Sequence, residues 1–373
     1  MRKITGGIET IMKYALIGCG RISKNHIKAA LANGFDIVAV CDILPERMEE
    51  LLKFYELDTD KNIGRFTDYS EMIEKNPDIE LISIATDSDK HAEIALCVIR
   101  HNINVIIEKP MAMSLDDADL IIKESELHNV KVSVCHQNRF NIAIQQVRRM
   151  LEKGKFGKLS HGSICVRWNR NKDYYDQADW RGKWKSDGGA LMNQCIHGID
   201  LLRWMMGDEI EEVYGVTKQQ FHNYLECEDL GLAVVKFKNG AVATIEGTVN
   251  VYPKNLEETL YLFGENGTVK VGGKSTNTID VFDFKDSDKD GVEGFVEQTE
   301  NVYGNGHTSL FFDVAQAIED NRPPYVTAYD GKRAVELVLA IYESSYAGKP
   351  VKFPIQNNIA TIDFINIFDK SLK

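Results

Sequence analysis

Three things are scarce in this chain of 373 residues: paired cysteines, positive charge and long apolar runs. The 7 cysteines include no C-x-x-C pair, so neither a disulfide framework nor a Cys/His zinc site is indicated. Cys19, Cys41, Cys97, Cys135 and Cys165 lie in or beside apolar runs and read as small core residues of a protein in a reducing cytoplasm. Lys and Arg number 44 against 56 Asp and Glu, a formal charge of -12. That balance argues against a nucleic-acid partner, which wants a basic face, and an anionic substrate would need a local basic pocket. No apolar run approaches the roughly 20 residues of a membrane span. Met1–Met12 has basic residues but not the apolar core of a secretory signal, and it reads as an extension before the first strand. There is no G-x-S-x-G elbow, no Walker lysine, no internal repeat and no low-complexity linker.

What is present begins at Lys13–Asp42. Tyr14–Ile17 reads as a buried strand, Gly18 and Gly20 follow at once, and Ile22 to Ala32 has helical periodicity. Gly18 allows a tight strand-to-helix turn, and Gly20 lets backbone approach a pyrophosphate that the helix N-terminus then favours. Ile37–Val40 is a second strand ending at Asp42, about 20 positions beyond the glycines, where a carboxylate accepts from a ribose 2′-hydroxyl. A carboxylate repels a 2′-phosphate, so the pattern favours NAD over NADP. The third glycine position holds Ser23, small enough to keep close helix–strand packing.

The alternation of strand and helix continues. Helices are expected from Pro45 to Tyr55, Asp68 to Lys75, His91 to Arg100 and Leu115 to His128, with strands at Leu81–Ala85, Asn104–Glu108 and Lys131–Cys135. Repeated β-α-β units imply a doubly wound parallel sheet with ligands at the strands' carboxyl ends, where Gly18, Asp42, Thr86, Glu108, Lys109 and Gln137 fall. From Asn138 the pattern changes. Lys158–Trp168 alternates, Asp229–Phe237 and Ala241–Asn250 flank Asn239-Gly240, and Glu258–Phe263 and Thr268–Val271 flank a glycine turn. Helices are expected at Ala190–Met206, Leu310–Asp320 and Asp330–Tyr346. The expected architecture is a nucleotide-binding domain over residues 1–137 and an α+β domain with an open, mostly antiparallel sheet over 138–373.

Two stretches carry candidate chemistry. Glu108-Lys109-Pro110 ends the expected strand Asn104–Glu108, and Lys109 is held where a nicotinamide would lie. A cationic ring beside it would depress the lysine pKa and suit proton transfer. In the run Asp187 to Asp200, Asn193 and His197 are four apart and share a helix face. Histidine titrates near neutrality and can take a hydroxyl proton as hydride leaves. Trp168-Asn169-Arg170, Tyr174-Tyr175 and Trp180-Arg181 interleave aromatic with basic side chains, and Tyr252-Pro253-Lys254-Asn255 repeats the theme. Aromatic faces suit a sugar or base ring, and arginine suits carboxylate or phosphate. Asp286, Asp288, Asp290, Gly291 and Glu297 have EF-hand spacing, but Ile279–Phe284 alternates like a strand and Glu293 stands at the loop's hydrophobic position, so a solvated acidic loop is expected and no metal.

These residues resemble the Gfo/Idh/MocA oxidoreductases over nearly the whole chain. The resemblance rests on Gly18-Cys19-Gly20-Arg21-Ile22, Glu108-Lys109-Pro110, the Gly188-Gly189 helix ending at His197, and Asn321-Arg322-Pro323-Pro324. Within the family the chain is similar to the UDP-N-acetyl-2-amino-2-deoxyglucuronate dehydrogenases at Asn25-His26, Gln137-Asn138-Arg139, Tyr174-Tyr175-Asp176, Trp180-Arg181-Gly182, Met192-Asn193-Gln194 and Tyr252-Pro253-Lys254-Asn255. The resemblance implies Lys109 and His197 as catalytic residues. Asn193 stands where many members carry aspartate; an amide is no base and would only orient substrate. It implies NAD along Gly18, Gly20, Arg21, Ile22 and Asp42, with Thr86, Ser88, His91 and Glu108 beside it. Gln137, Trp180 and Arg181 complete that set with Lys109. For substrate it implies Asn138, Arg139, Arg167, Arg170, Tyr174 and Tyr175, and further Asn193, Gln194, His197, Tyr252, Lys254 and Asn255. The implied reaction is oxidation of the C3 hydroxyl of a UDP-N-acetylglucosaminuronate-type sugar, held between the domains, for surface-polysaccharide biosynthesis in the cytoplasm. A tetramer through the open sheet is also implied. Oxidation of a free sugar or inositol is the alternative reaction, and a non-catalytic NAD-binding sensor the alternative role.

Overall fold

In a computed structural model, residues 11–285, 292–299, 304–365 and 367–368 are described. Contacts divide the chain into two units: one of residues up to Glu108, Leu120–Cys135 and His307–Ala328, the other of Lys109–Asp119, His136–Gly306 and Tyr329 onward. A single cut after Gln137 does not describe this division, because His307–Ala328 belongs with the first unit.

In the first unit, short aliphatic runs form β1 (Lys13–Ile17), β2 (Asp36–Cys41), β3 (Gly64–Phe66), β4 (Leu81–Ile84), β5 (Asn104–Ile107) and β6 (Val132–Val134). They make one parallel sheet ordered β3-β2-β1-β4-β5-β6. Burial of β4 along its whole length explains why it reads as an unbroken apolar run. The helices are α1 (Ser23–Ala32), α2 (Pro45–Phe54), α3 (Tyr69–Lys75), α4 (His91–Arg100) and α5 (Leu115–Leu127). Proline opens α2, and the Asp68 carboxylate caps α3 by accepting from Glu71 N at 2.8 Å. β3 was not anticipated: three half-buried edge residues have no periodicity to read. The distant helix Gly306–Glu319 returns to this unit through Phe311, whose ring lies 5.9 Å from Tyr14 and 6.2 Å from Phe35. Strand order reverses between β1 and β4, so a crevice opens at their carboxyl ends, where such sheets hold ligands.

The second unit is built on β7 (Leu159–Arg167), β8 (Ile210–Lys218), β9 (Leu230–Phe237), β10 (Val242–Thr248), β11 (Glu257–Gly264), β12 (Gly267–Gly272), β13 (Thr278–Phe284) and β14 (Val351–Lys352). Their order is β13-β12-β11-β7-β10-β9-β8-β14. β7 and β10 run parallel, and the other pairs of this sheet among the described residues run antiparallel. Asn239-Gly240 makes the expected hairpin, with Gly240 at φ +87°. Strict alternation in β9 buries Ala233, Val235 and Phe237 and turns Leu232 and Val234 outward. The outward face also exposes Tyr214, Val216 and Val242. Helices α6 (Ile142–Glu152), α7 (Lys172–Tyr175) and α8 (Ile196–Met206), and a long one over Ala328–Ala347, belong to this unit. Sequence reading missed α6, β8 and β14. β8 does alternate, but Gly215 and two adjacent glutamates blur the signal. β13 is the strand expected before the acidic loop; residues 286–291 of that loop lie outside the described ones. Cys19, Cys41 and Cys135 are buried as expected, whereas Cys97 and Cys165 are only half-buried. No helix among the described residues is long and apolar enough to cross a membrane.

Candidate active site

The nucleotide end is built by the β1 turn. Gly18 sits at φ +93°, and a Cβ there would meet the Ala85 carbonyl carbon at 2.5 Å and Thr86 N at 2.7 Å. Only glycine lets the loop after β4 press this closely on the turn. At Gly20 a Cβ would meet nothing within 4 Å among the described residues, so the turn leaves its surface open to a ligand there. The first turn of α1 has no acidic residue and no side-chain cap, which leaves its positive end uncompensated. Asp42 is buried at the end of β2; Oδ2 accepts from Cys19 N at 2.8 Å and Oδ1 from Leu44 N at 2.9 Å. Each oxygen retains a further lone-pair direction, as a ribose acceptor needs. His91 Nε2 lies 3.1 Å from the Thr86 carbonyl and shapes the neighbouring loop, with Ser88 buried beside it in sequence. Arg21 is exposed and Ile22 half-buried. An open glycine turn, a helix N-terminus with no acidic side chain or side-chain cap of its own and a fixed carboxylate together fit an adenine dinucleotide.

Glu108 has other partners than those expected. It is 6% exposed, and its Oε1 lies 2.9 Å from His26 Nε2 and 3.4 Å from His307 Nε2. Those two imidazoles hold its carboxyl well below the usual range against the opposing effect of burial. Cys135 completes a group of four whose ligand atoms lie within 4.8 Å of one another. Among the described residues neither Nδ1 of the two histidines meets an acceptor, whereas a metal-bound imidazole ordinarily donates its second N–H. The geometry is that of one carboxylate shared by two imidazoles, anchoring the chain immediately before Lys109.

In the second unit the expected helix Ala190–Met206 is in two parts. Ala190–Cys195 is π-helical and α8 continues from Ile196. The widened turn follows from how its start is held. Ala190 N donates to the Glu228 carbonyl at 3.2 Å, Leu191 N to Glu228 Oε1 at 2.8 Å and Met192 N to the Tyr342 hydroxyl at 3.2 Å. Gly189 is at φ +90°, and a Cβ there would fall 1.7 Å from Glu228 Oε2, so only glycine admits this carboxyl. Such π segments are frequent at functional sites, and this one carries Asn193 and Gln194. Lys109 Nζ donates to the Asn193 carbonyl at 2.7 Å and approaches Asn193 Oδ1 at 3.4 Å. His197 is 7% exposed; Gln137 Nε2 donates toward its Nε2 at 3.5 Å. His136 meets the His197 ring edge-on at 5.9 Å, and burial pushes its pKa down to about 4, so it is neutral at neutral pH and adds no charge there.

A basic and aromatic surface adjoins Asn193. Gln194 Nε2 donates to Asn193 Oδ1 and to the Tyr174 hydroxyl, both at 2.9 Å. Arg170 Nε donates to Gln194 Oε1 at 2.9 Å and its Nη1 to Asn255 Oδ1 at 3.0 Å. The Tyr174 ring has guanidinium groups on it from Arg170 at 5.0 Å and Arg181 at 4.2 Å, and Arg181 also donates to its hydroxyl. Trp180 lies 4.8 Å from the Arg181 guanidinium, and Tyr175 is buried against Tyr174. Asn138 is buried beside Gln137 in sequence.

Other expected substrate residues lie elsewhere. Arg139 is 1% exposed and bidentate to Asp200, at 2.7 and 2.6 Å, with Asp330 at 3.0 Å; it is an internal ion pair and has no reach to a ligand. Arg167 joins β10 to β11 through Glu246 and Glu257, so two carboxylates neutralise the charge expected to meet a uronate. Tyr252 is 91% exposed and Lys254 is exposed. Sequence reading assigned no role to Asp187, Glu228, Tyr342 or His136. Asp187 could have been found, as it heads the Gly188-Gly189 motif.

Residues 12–136 match the family model described as an oxidoreductase family with an NAD-binding Rossmann fold, and residues 144–270 match the GFO/IDH/MocA C-terminal domain. The chain belongs to the Gfo/Idh/MocA oxidoreductases. Among solved structures it resembles the WlbA dehydrogenase of Bordetella pertussis in complex with NADH and UDP-GlcNAcA, with 32% identity, 93% of this chain and 100% of that chain covered, and TM-score 0.82. The WlbA dehydrogenase of Chromobacterium violaceum, in the same kind of complex, is 30% identical over 93% of this chain and 97% of that chain, TM-score 0.83. Among curated relatives, the Myo-inositol 2-dehydrogenase of Thermotoga maritima is 24% identical over 91% of this chain and 98% of its own length. This Gfo/Idh/MocA member is therefore an NAD-dependent dehydrogenase acting on a CH–OH group of a sugar or polyol. When bound, NAD supplies the hydride acceptor; Gly18, Gly20 and Asp42 are the residues of the first unit that fit it.

Proposed function

We propose that this enzyme oxidises the C3 hydroxyl of a UDP-N-acetylglucosaminuronate-type sugar to the 3-keto sugar. The bond from Lys109 to Asn193, on the helix that carries His197, is the observation that carries this reading. Lys109 and His197 share removal of the hydroxyl proton, while Asn193 orients the ring alcohol. Arg170 and Arg181, flanking Tyr174, are the cations for the uronate or diphosphate; their placement answers the need for a basic pocket in an acidic protein. Likeness to two WlbA dehydrogenases bound to UDP-GlcNAcA supports the nucleotide sugar. The 3-keto product is a substrate for amino transfer in surface-polysaccharide synthesis, and the reaction belongs to the cytoplasm. The inositol dehydrogenase relative favours a second reading, oxidation of a free polyol.

NADH absorbance with UDP-GlcNAcA, UDP-GlcNAc and myo-inositol separates the readings. Turnover is expected with UDP-GlcNAcA and weakly or not at all with UDP-GlcNAc, which lacks the carboxylate. Turnover with myo-inositol alone would replace the first reading by the second. Lys109→Ala should lower kcat by roughly 10²–10⁴ and leave NAD affinity, measured by calorimetry, unchanged. The proposal also includes a second copy of the chain on the outward face of β8, β9 and β10, where Tyr214, Val216, Leu232, Val234 and Val242 are exposed; a tetramer is the expected assembly.

A further inference from the structure

An asparagine at the reacting end of a dehydrogenase has a weakness: its two amide ends are nearly equal in shape and opposite in hydrogen-bonding sense. With Oδ1 toward Lys109, Asn193 accepts from the ammonium; turned over, it presents a second donor to it. Gln194, whose oxygen accepts from the donor-only Arg170 Nε at 2.9 Å, donates to the Asn193 oxygen and favours one sense from that side. A neighbour that can only accept would settle it.

We propose that Asp187 is a positioning residue for the reaction, fixing the Asn193 amide so that its oxygen, and not its nitrogen, faces Lys109. The Asp187 carboxylate is 3% exposed. Its Oδ2 accepts from Gly182 N at 2.6 Å, and its Oδ1 accepts from Asn193 Nδ2. On the other side Asn193 Oδ1 lies 3.4 Å from Lys109 Nζ and accepts from Gln194 Nε2 at 2.9 Å. An ionised carboxylate has no proton to give, so it selects the amide's NH₂ end and leaves the oxygen for the ammonium. The bond to Gly182 ties Asp187 to the loop that carries Arg181, so one carboxylate sets both the proton-transfer end and the adjoining basic surface. Burial raises the Asp187 pKa, while Gly182 N–H, the Asn193 amide, Arg181 and Lys109 oppose that rise and favour the ionised form.

The inference rests on Lys109 and Asn193 being the reacting end, and its test separates the two. Kinetics with NAD and UDP-GlcNAcA would compare wild type, Lys109→Ala, Asp187→Asn, Asn193→Asp and the exchanged pair Asp187→Asn with Asn193→Asp. Asp187→Asn keeps an acceptor for Gly182 N but turns an NH₂ toward Asn193, so its amide should flip. Its kcat should fall on the order of 10-fold or more, a fraction of the ~10²–10⁴ of positioned proton transfer. KM should stay within about threefold, since no ground-state contact to substrate is removed. The exchanged pair restores a carboxylate oxygen for Lys109 with an amide behind it, and should recover most of the lost kcat. In the ligand-free protein, one side-chain amide proton of Asn193 should show the downfield NMR shift of a bond to carboxylate, absent in Asp187→Asn. An inactive Lys109→Ala beside an Asp187→Asn of wild-type kcat, an exchanged pair no better than its worse single variant, or an unmoved Asn193 amide signal would each overturn the role of Asp187. An active Lys109→Ala would instead remove the reading beneath it.

Discussion

Arg139 and Arg170 show how little residue type says about role. Both are arginines near aromatic rings in the same half of the chain. Arg139 is enclosed with Asp200, Arg203 and Asp330, and its guanidinium lies 4.8 Å from the Trp204 ring. Removing one partner of such a buried network leaves uncompensated charge, so Arg139→Ala should destabilise the fold by about 3–5 kcal/mol. Urea unfolding should show that loss, with the KM for UDP-GlcNAcA little changed in the folded enzyme. Arg170 is half-buried beside Gln194 and Tyr174. Arg170→Ala should raise that KM about tenfold or more, as loss of a charge-assisted contact does, while the unfolding midpoint moves little. The opposite pattern in the pair would exchange their assignments.

At the scale of elements, the π-helical segment is set by a carboxyl from another part of the sequence. Glu228 is fully buried, and burial pushes its pKa up to about 8 despite the Leu191 N–H and the Tyr342 hydroxyl that pull it down. In the unfolded chain a glutamate titrates near ~4.3. The folded state therefore holds the proton more tightly, and this group's stabilisation is present below about pH 4.3 and is lost as pH rises toward about 8. Glu228→Gln removes that titration. Across pH 5 to 8 the wild type should lose stability relative to Glu228→Gln, with a limiting slope of about 1.4 kcal/mol per pH unit. A difference in unfolding free energy that stays flat with pH would show that Glu228 titrates normally.

At the scale of the whole molecule, the eight-stranded sheet has an inner face that buries Ala233 and Val235 and an outer face that exposes Leu232 and Val234. The proposed second copy on that outer face would account for apolar side chains that a solvated sheet would replace with polar ones. Val234→Asp should shift sedimentation from the oligomer to a smaller species while leaving the circular dichroism of the fold unchanged. An unaltered sedimentation profile would place the interface elsewhere.

The sequence by itself determined the parallel β-α-β unit, its glycine turn and Asp42. Those signals are local: apolar runs, a residue that tolerates positive φ and a carboxylate at a strand end are each readable within a few positions. Lys109, Asn193, His197 and the Arg170–Tyr174–Arg181 surface stand out as candidates for the same reason, since each lies in a short motif of distinctive residue types. Tertiary structure alone decided the rest. It turned Arg139 inward, neutralised Arg167 with two glutamates, gave Glu108 to His26 and His307, widened the helix before His197, and brought Asp187 against Asn193. Each depends on which distant side chain supplies the opposite charge or the missing acceptor, and a buried polar group is satisfied by whatever partner the fold delivers. Charge and hydrogen-bonding capacity are written in the chain; the pairing is settled only when the chain closes on itself.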